Sequence, residues 1–284
     1  MRTLVIALCA LAASSAAAED KALIGRGKYL MDSIVACGNC HVQRGEKGQP
    51  LLDKGLSGGM VFDEAPFKAY APNITPDAET GIGRWTDAQL AKAIREGIRP
   101  DGSVIGPPMP IMFYRGLADG DLKAIVAYLR AQPAMKNKVP KSEYRMKLPP
   151  SYGPAITQKV VSPGRKDPVK YGAYLAGPLG HCLDCHTPWV KGIPDMGRAG
   201  AGGNPFRGPW GVAVSRNLTP HETGLKGWSD AEIARAIREG VRRDGTPLKP
   251  PMAFGWYKNI RDQDMKPLIA YLRSLKPLPM GAAK

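Results

Sequence analysis

The pattern Cys-x-x-Cys-His occurs twice, as Cys37-Gly38-Asn39-Cys40-His41 and, 145 residues further on, as Cys182-Leu183-Asp184-Cys185-His186. It is the attachment signal for a c-type haem. Two thiols at this spacing add across the two vinyl groups of one porphyrin, and the adjacent histidine turns its imidazole onto the iron. A Met or a second His on the far face completes six-coordination. Two other readings compete. A redox disulfide gives no role to either histidine and expects a βαβ frame. A four-Cys zinc site would draw both pairs together, whereas each pair here heads its own repeat. Two covalently bound haem c groups are therefore expected, held by Cys37, Cys40, Cys182 and Cys185, with His41 and His186 on the irons.

Residues 1–18 read as an export signal. Arg2 gives a positive start, Thr3 to Ala13 is mostly apolar, and Ala16-Ala17-Ala18 offers a small-residue cleavage site before Glu19. The apolar run is too short to span a bilayer. Cys9 lies inside it, so the mature chain keeps four cysteines, all within the two motifs. None is left for a structural disulfide or a catalytic thiolate, and each unit must hold together through its core and its haem. A periplasmic location is expected, which excludes nucleic acid as a partner. The formal charge of +15 suits an acidic redox partner or an anionic membrane surface, or simply keeps an exported protein soluble.

The repetition extends well beyond the cysteine motifs. Gly27-Lys28-Tyr29-Leu30 answers Gly172-Ala173-Tyr174-Leu175, and Asn73-Ile74-Thr75-Pro76 answers Asn217-Leu218-Thr219-Pro220. Trp85-Thr86-Asp87-Ala88 matches Trp228-Ser229-Asp230-Ala231, Pro107-Pro108-Met109 matches Pro250-Pro251-Met252, and Ala127-Tyr128-Leu129-Arg130 matches Ala270-Tyr271-Leu272-Arg273. Two tandem domains follow, at 19–135 and 167–284, each of about 120 residues, an ordinary size for an independent unit. The stretch between them, 136–166, is rich in Pro, Lys and Ser and reads as an ordered but irregular connector.

Each copy reads as helical. Thr86 with Gln89 and Ser229 with Glu232 form capping boxes that predict helix starts. Gly97 and Gly240 are placed for left-handed caps. A last helix shows Leu122, Ile125, Val126 and Leu129 at i, i+3, i+4 and i+7, and Met265, Leu268, Ile269 and Leu272 repeat that spacing. Pro267 is expected in the first turn of its helix, where a missing N–H costs nothing. The loops after each cysteine motif are Gly- and Pro-rich and without period, suited to wrapping a haem edge.

The sixth ligand should recur in both copies, well downstream of the histidine. Met109 and Met252 do so, 68 and 66 residues after His41 and His186, each behind two prolines that stiffen the backbone. Met112 aligns with Gly255 and Met60 with Asn204, so neither recurs. His181 adjoins Cys182 and cannot easily reach the opposite haem face, and His221 reads as a surface-loop residue. Asn73, Asn217, Trp85 and Trp228 suit either propionate or ligand bonding, or plain turn and core roles. Arg84, Lys226, Arg95 and Arg238 could pair with propionates, though a solvated helix face is the commoner use.

These motifs together resemble the bacterial dihaem c-type cytochromes, in particular the haem subunits that serve periplasmic alcohol, aldehyde and related dehydrogenases. The resemblance covers nearly the whole chain beyond the export signal. It implies an all-α fold of two tandem small c-type cytochrome domains, each with a covalent haem and with its first and last helices crossing beside it. Gly27 should then approach the helix carrying Tyr128, and Gly172 the helix carrying Tyr271. It also implies His–Met ligation by Met109 and Met252, and an electron relay with no catalytic residues of its own. The donor would be a dehydrogenase and the acceptor a cytochrome or terminal oxidase. Such subunits often carry a third haem and an anchoring tail, which are not evident here. The alternative is a dihaem enzyme such as a peroxidase, with one iron open; both copies keep the methionine frame and histidines are scarce, which argues against it.

Overall fold

In the computed structural model, residues 18–46, 48–208 and 210–281 are described; the expected export signal lies outside them except for Ala18. The first repeat opens with helix α1 (18–31). It continues through the short α2 (Gly38–His41), the hairpin strands β1 (Val61–Glu64) and β2 (Phe67–Tyr70), and the helices α3 (Asp87–Glu96), α4 (Ile111–Tyr114) and α5 (Asp119–Arg130). The connector supplies β3 (Glu143–Tyr144). The second repeat has α6 (Pro168–Tyr174), which runs on as a π-helical turn over Leu175–Leu179, then α7 (Cys182–Cys185), strands β4 (Trp189–Val190), β5 (Ile193–Pro194), β6 (Pro205–Gly208) and β7 (Gly211–Val214), and helices α8 (Asp230–Glu239), α9 (Phe254–Tyr257) and α10 (Asp262–Ser274).

The fold is thus mainly helical but not all-α, a correction to the sequence expectation. Seven short strands lie among the described residues, six of them in the loops after the cysteine motifs, paired as antiparallel hairpins β1–β2, β4–β5 and β6–β7. They span two to four residues each, and all but β2, which turns Phe67 and Ala69 inward, are mostly solvent-facing. Too few residues face a core to print a period-two pattern in the sequence.

The predicted helix starts and stops are present. Thr86 accepts from Gln89 N while Gln89 Oε1 accepts from Thr86 N, and Ser229 and Glu232 repeat the exchange. Gly97 and Gly240 close their helices at φ of 70° and 68°, a region that favours glycine. All eight of the periodic apolar residues of α5 and α10 are buried. Pro267, however, is the sixth residue of α10 rather than a first-turn residue. The carbonyl its missing N–H leaves free, Gln263 O, accepts instead from Arg165 Nη1 at 3.0 Å.

The terminal helices of each repeat cross where the glycines predict. A Cβ at Gly27 would lie 1.9 Å from Ala124 O and 2.7 Å from Tyr128 Cβ; at Gly172 it would lie 2.0 Å from Pro267 O and 2.7 Å from Tyr271 Cβ. Only a hydrogen fits between the backbones at these points.

The repeats do not have separate cores. One hydrophobic cluster runs from Leu30, Ile34 and Leu122 in the first to Leu175, Leu268 and Ile269 in the second. A pseudo-twofold exchange of hydrogen bonds closes the seam. Tyr29 OH donates to Asp264 Oδ2 at 2.7 Å, and its repeat counterpart Tyr174 OH donates to Asp121 Oδ2 at 2.8 Å. Each tyrosine oxygen in turn accepts a backbone N–H, from Arg261 and from Ala118. Asp121 and Asp264 are buried, and each is also paired with an arginine, Arg26 and Arg165 respectively. Buried carboxylates are stable only when so compensated.

Candidate haem-binding sites

Each cysteine motif is a single helical turn. His41 N donates to Cys37 O at 2.9 Å, and His186 N to Cys182 O at 3.0 Å. Positions i, i+3 and i+4 share one face of a helix, so both thiols and the imidazole of a motif are presented together. Burial pushes the Cys40 thiol up to about 11 and the Cys37 and Cys182 thiols to about 12, and raises Cys185 as well. Redox-active Cys-x-x-Cys pairs need a depressed thiol, so this environment opposes the disulfide-exchange reading. None of the four motif cysteines is in a disulfide.

The two histidines are held alike. His41 Nδ1 lies 2.9 Å from Pro72 O, and His186 Nδ1 lies 2.7 Å from Arg216 O. A carbonyl only accepts, so Nδ1 carries the proton and Nε2 keeps its lone pair for a metal. Burial depresses both imidazoles and so favours the neutral ligand form. Two thiols beside a fixed, neutral imidazole, repeated in both domains, is a donor set that fits a covalent haem. Further along, His41 O accepts from Gly58 N at 2.8 Å and His186 O from Gly202 N at 2.7 Å. Gly58 and Gly202 have φ of +75° and +65°, and a Cβ on either would fall 2.5–2.6 Å from backbone atoms of Ala71 and Pro72, or of Ser215 and Arg216, the segments that carry the carbonyls bonded to the imidazoles. Sequence reasoning missed these four positions. The pairs Gly58-Gly59 and Gly202-Gly203, at the same offset as their neighbours, were the available signal.

The methionine frames also match. The Pro107–Pro108 and Pro250–Pro251 peptides are both cis. Met109 O accepts from Ile111 N at 2.9 Å, and Met252 O from Phe254 N at 3.0 Å. Each frame leads into a short helix seated on the left-handed cap of the preceding one: Gly97 faces Ile111 and Gly240 faces Phe254. Met109 and Met252 are half-buried against the hydrophobic cluster, whereas Met112 is 54% exposed. The structure therefore treats Met109 and Met252 as equivalents and sets Met112 apart.

Other candidates resolve into structural roles. The amide of Asn73 donates to Thr80 Oγ1 and Met135 O and accepts from Thr75 N and Oγ1; Asn217 does the same with Thr223, Leu278 and Thr219. Both amides are fully engaged in tying a loop to the segment after the last helix, which leaves nothing for a propionate. Arg95 and Arg238 bind Asp119 and Asp262, joining α3 to α5 and α8 to α10. Lys226 pairs with Glu222, and Arg84 is exposed. Trp85 and Trp228 pack on the core, and their carbonyls accept from Arg130 and Arg273. His221 bonds Thr223 within its own loop. His181 is edge-on to Tyr114 of the first repeat, with ring centroids 5.7 Å apart, and burial lowers it to about 4.

The cytochrome c family model matches residues 24–133 and 170–276. The chain belongs to the cytochrome c family. Among curated proteins, this cytochrome is 31% identical to the cytochrome c subunit of the quinone alcohol dehydrogenase of Gluconobacter oxydans, over 95% of this chain and 58% of that one. It is 30% identical to the gluconate 2-dehydrogenase cytochrome c subunit of Pantoea cypripedii, over 96% of this chain and 64% of that one. It is also 30% identical to a dihaem cytochrome c-type protein of Cereibacter sphaeroides, over 84% and 81% respectively. The cytochrome thus spans a little over half the length of the alcohol dehydrogenase subunit. Among the described residues no helix is long and apolar enough to cross a membrane.

Proposed function

We propose that this cytochrome is a periplasmic dihaem electron carrier that accepts electrons from a dehydrogenase and delivers them to a downstream cytochrome or terminal oxidase. Cys37 with Cys40, and Cys182 with Cys185, would hold the two groups through thioether bonds. His41 and His186 would bind the irons through Nε2, and Met109 and Met252 would supply the second ligands. When bound, each haem supplies a one-electron centre whose potential a thioether ligand raises.

The observation that carries this reading is the pair of imidazole–carbonyl bonds. Pro72 O and Arg216 O orient each ring, hold its proton on Nδ1 and leave Nε2 for the metal. The buried seam between the repeats holds the two sites in a fixed relation, as a relay requires. The dehydrogenase donor is supported by the dehydrogenase cytochrome subunits among its relatives. The net charge of +15 suits steering toward an acidic partner face.

Two measurements test the proposal. A purified dehydrogenase from the same periplasm should reduce the cytochrome, with a rate that falls as salt rises because exposed charges are screened beyond about 10 Å at 0.1 M. A rate indifferent to salt would remove the steering argument. Carbon monoxide added to the reduced protein should bind slowly or not at all, because both irons are closed; rapid binding at one centre would favour a dihaem enzyme instead.

A further inference from the structure

The loop bearing Met109 is braced from outside by the connector. Tyr144 OH donates to Pro107 O at 3.1 Å, and Tyr152 OH donates to Ile105 O at 2.9 Å. The second repeat is braced differently. Its methionine loop is reached instead from the other domain: Asn39 Nδ2 donates to Pro251 O, the carbonyl immediately before Met252, at 3.0 Å. Asn39 lies between Cys37 and Cys40, inside the first attachment turn. Arg44 Nη2 donates to Asn39 Oδ1 at 3.3 Å, which fixes the amide with its N–H groups toward Pro251.

A second contact joins the same two places. Gly38, also inside the first attachment turn, packs so closely on Trp256 of α9 that a Cβ there would lie 2.6 Å from the indole nitrogen. Arg44 lies over the same ring, 5.7 Å from its centroid. Trp256 follows Met252 by four residues. The matching place in the second attachment turn is Asp184, which has no amide to give to Pro108. This hydrogen bond therefore runs one way across a pseudo-symmetric molecule, where the reverse contact is the ring pair of His181 with Tyr114.

We propose that Asn39, with Gly38 against Trp256, is a positioning residue for Met252, so that the first attachment turn sets the ligand loop of the second centre. This rests on the His–Met reading. A ligand held by hydrogen bonds to its loop is displaced less readily, because loop opening must break them. Losing that hold weakens the thioether's grip and its preference for the ferrous state.

The test uses the full-length cytochrome with both haems attached, confirmed by haem stoichiometry. Asn39→Ala should speed cyanide entry several-fold at the Met252 centre of the oxidised protein and shift that centre's potential downward, with the cyanide rate at the Met109 centre unmoved. Asn39→Asp removes the donor and keeps the shape, and should act alike. Should either fail to mature, Trp256→Leu loosens the contact from the other domain and should give the same one-sided change. Met252→Ala is the reference. If it erases part of the far-red sulfur–iron band while Asn39→Ala leaves cyanide entry at that centre as in wild type, this inference is overturned alone. If Met252→Ala leaves the band unchanged, the ligand assignment falls and this inference with it.

Discussion

At the scale of single residues, the cysteines and histidines were legible because their chemistry is local: one helical turn presents all three donors of a site. Met109 and Met252, the proposed second ligands, stand out in the sequence only through repetition, since a lone Met is more often core filler. Met109→Ala or Met252→Ala should each lower the potential of one centre and remove part of the far-red band; a band unchanged in both variants would reject the ligand choice. What orients each histidine was not legible. Pro72 and Arg216 act through their carbonyls, and a backbone acceptor leaves no mark on residue type. Gly58 and Gly202 are the exception, because φ of +75° and +65° beside a crowding backbone leaves glycine as the residue that fits. Gly202→Val should cost about 1–3 kcal/mol in stability, read from chemical denaturation of the holoprotein; an unchanged midpoint would show that the histidine loop tolerates a side chain there.

At the scale of elements, helices with a full amphipathic stripe and paired caps were predictable, and the hairpins after the cysteine motifs were not. The contrast follows from what each element buries. Helix α5 puts Leu122, Ile125, Val126 and Leu129 into the core, which forces a readable 3.6-residue period. Strand β6 is mostly exposed, so its sequence answers to few packing constraints. Pro267 was misplaced for a related reason: where a helix begins is fixed by tertiary context, and Arg165 here meets the freed carbonyl. The crossing of α1 with α5 depends on Gly27, whose hydrogen lies against Ala124 O. Gly27→Ala should destabilise the protein by about 3 kcal/mol, since overpacking against rigid backbone cannot be relieved by a rotamer change. A midpoint unchanged in denaturant would mean that the helices can separate without cost.

At the scale of the whole molecule, the duplication was plain in the sequence but the seam was not. Tyr29 and Tyr174 occur at matched places, as do Asp121 and Asp264. Nothing in their spacing says that each tyrosine bonds the other repeat's aspartate. Burial holds the Tyr29 hydroxyl up near 12, with Asp264 adding to the shift, so it remains a donor at neutral pH. With a shared core and this reciprocal pair, the two repeats should unfold in one cooperative transition. Tyr29→Phe combined with Tyr174→Phe removes four hydrogen bonds, one donated and one accepted by each hydroxyl, and should cost about 0.5–1.5 kcal/mol for each bond. Two well-separated transitions in the unaltered protein would contradict a common core.

The most direct test of the account is to count and characterise the haem in the mature protein. Denaturing alkaline pyridine should report two covalent haem c groups per chain, and the oxidised protein should show the far-red sulfur–iron band at an intensity set by two methionine-ligated centres. A colourless protein, a single haem, or a resting centre that lacks its methionine would contradict it.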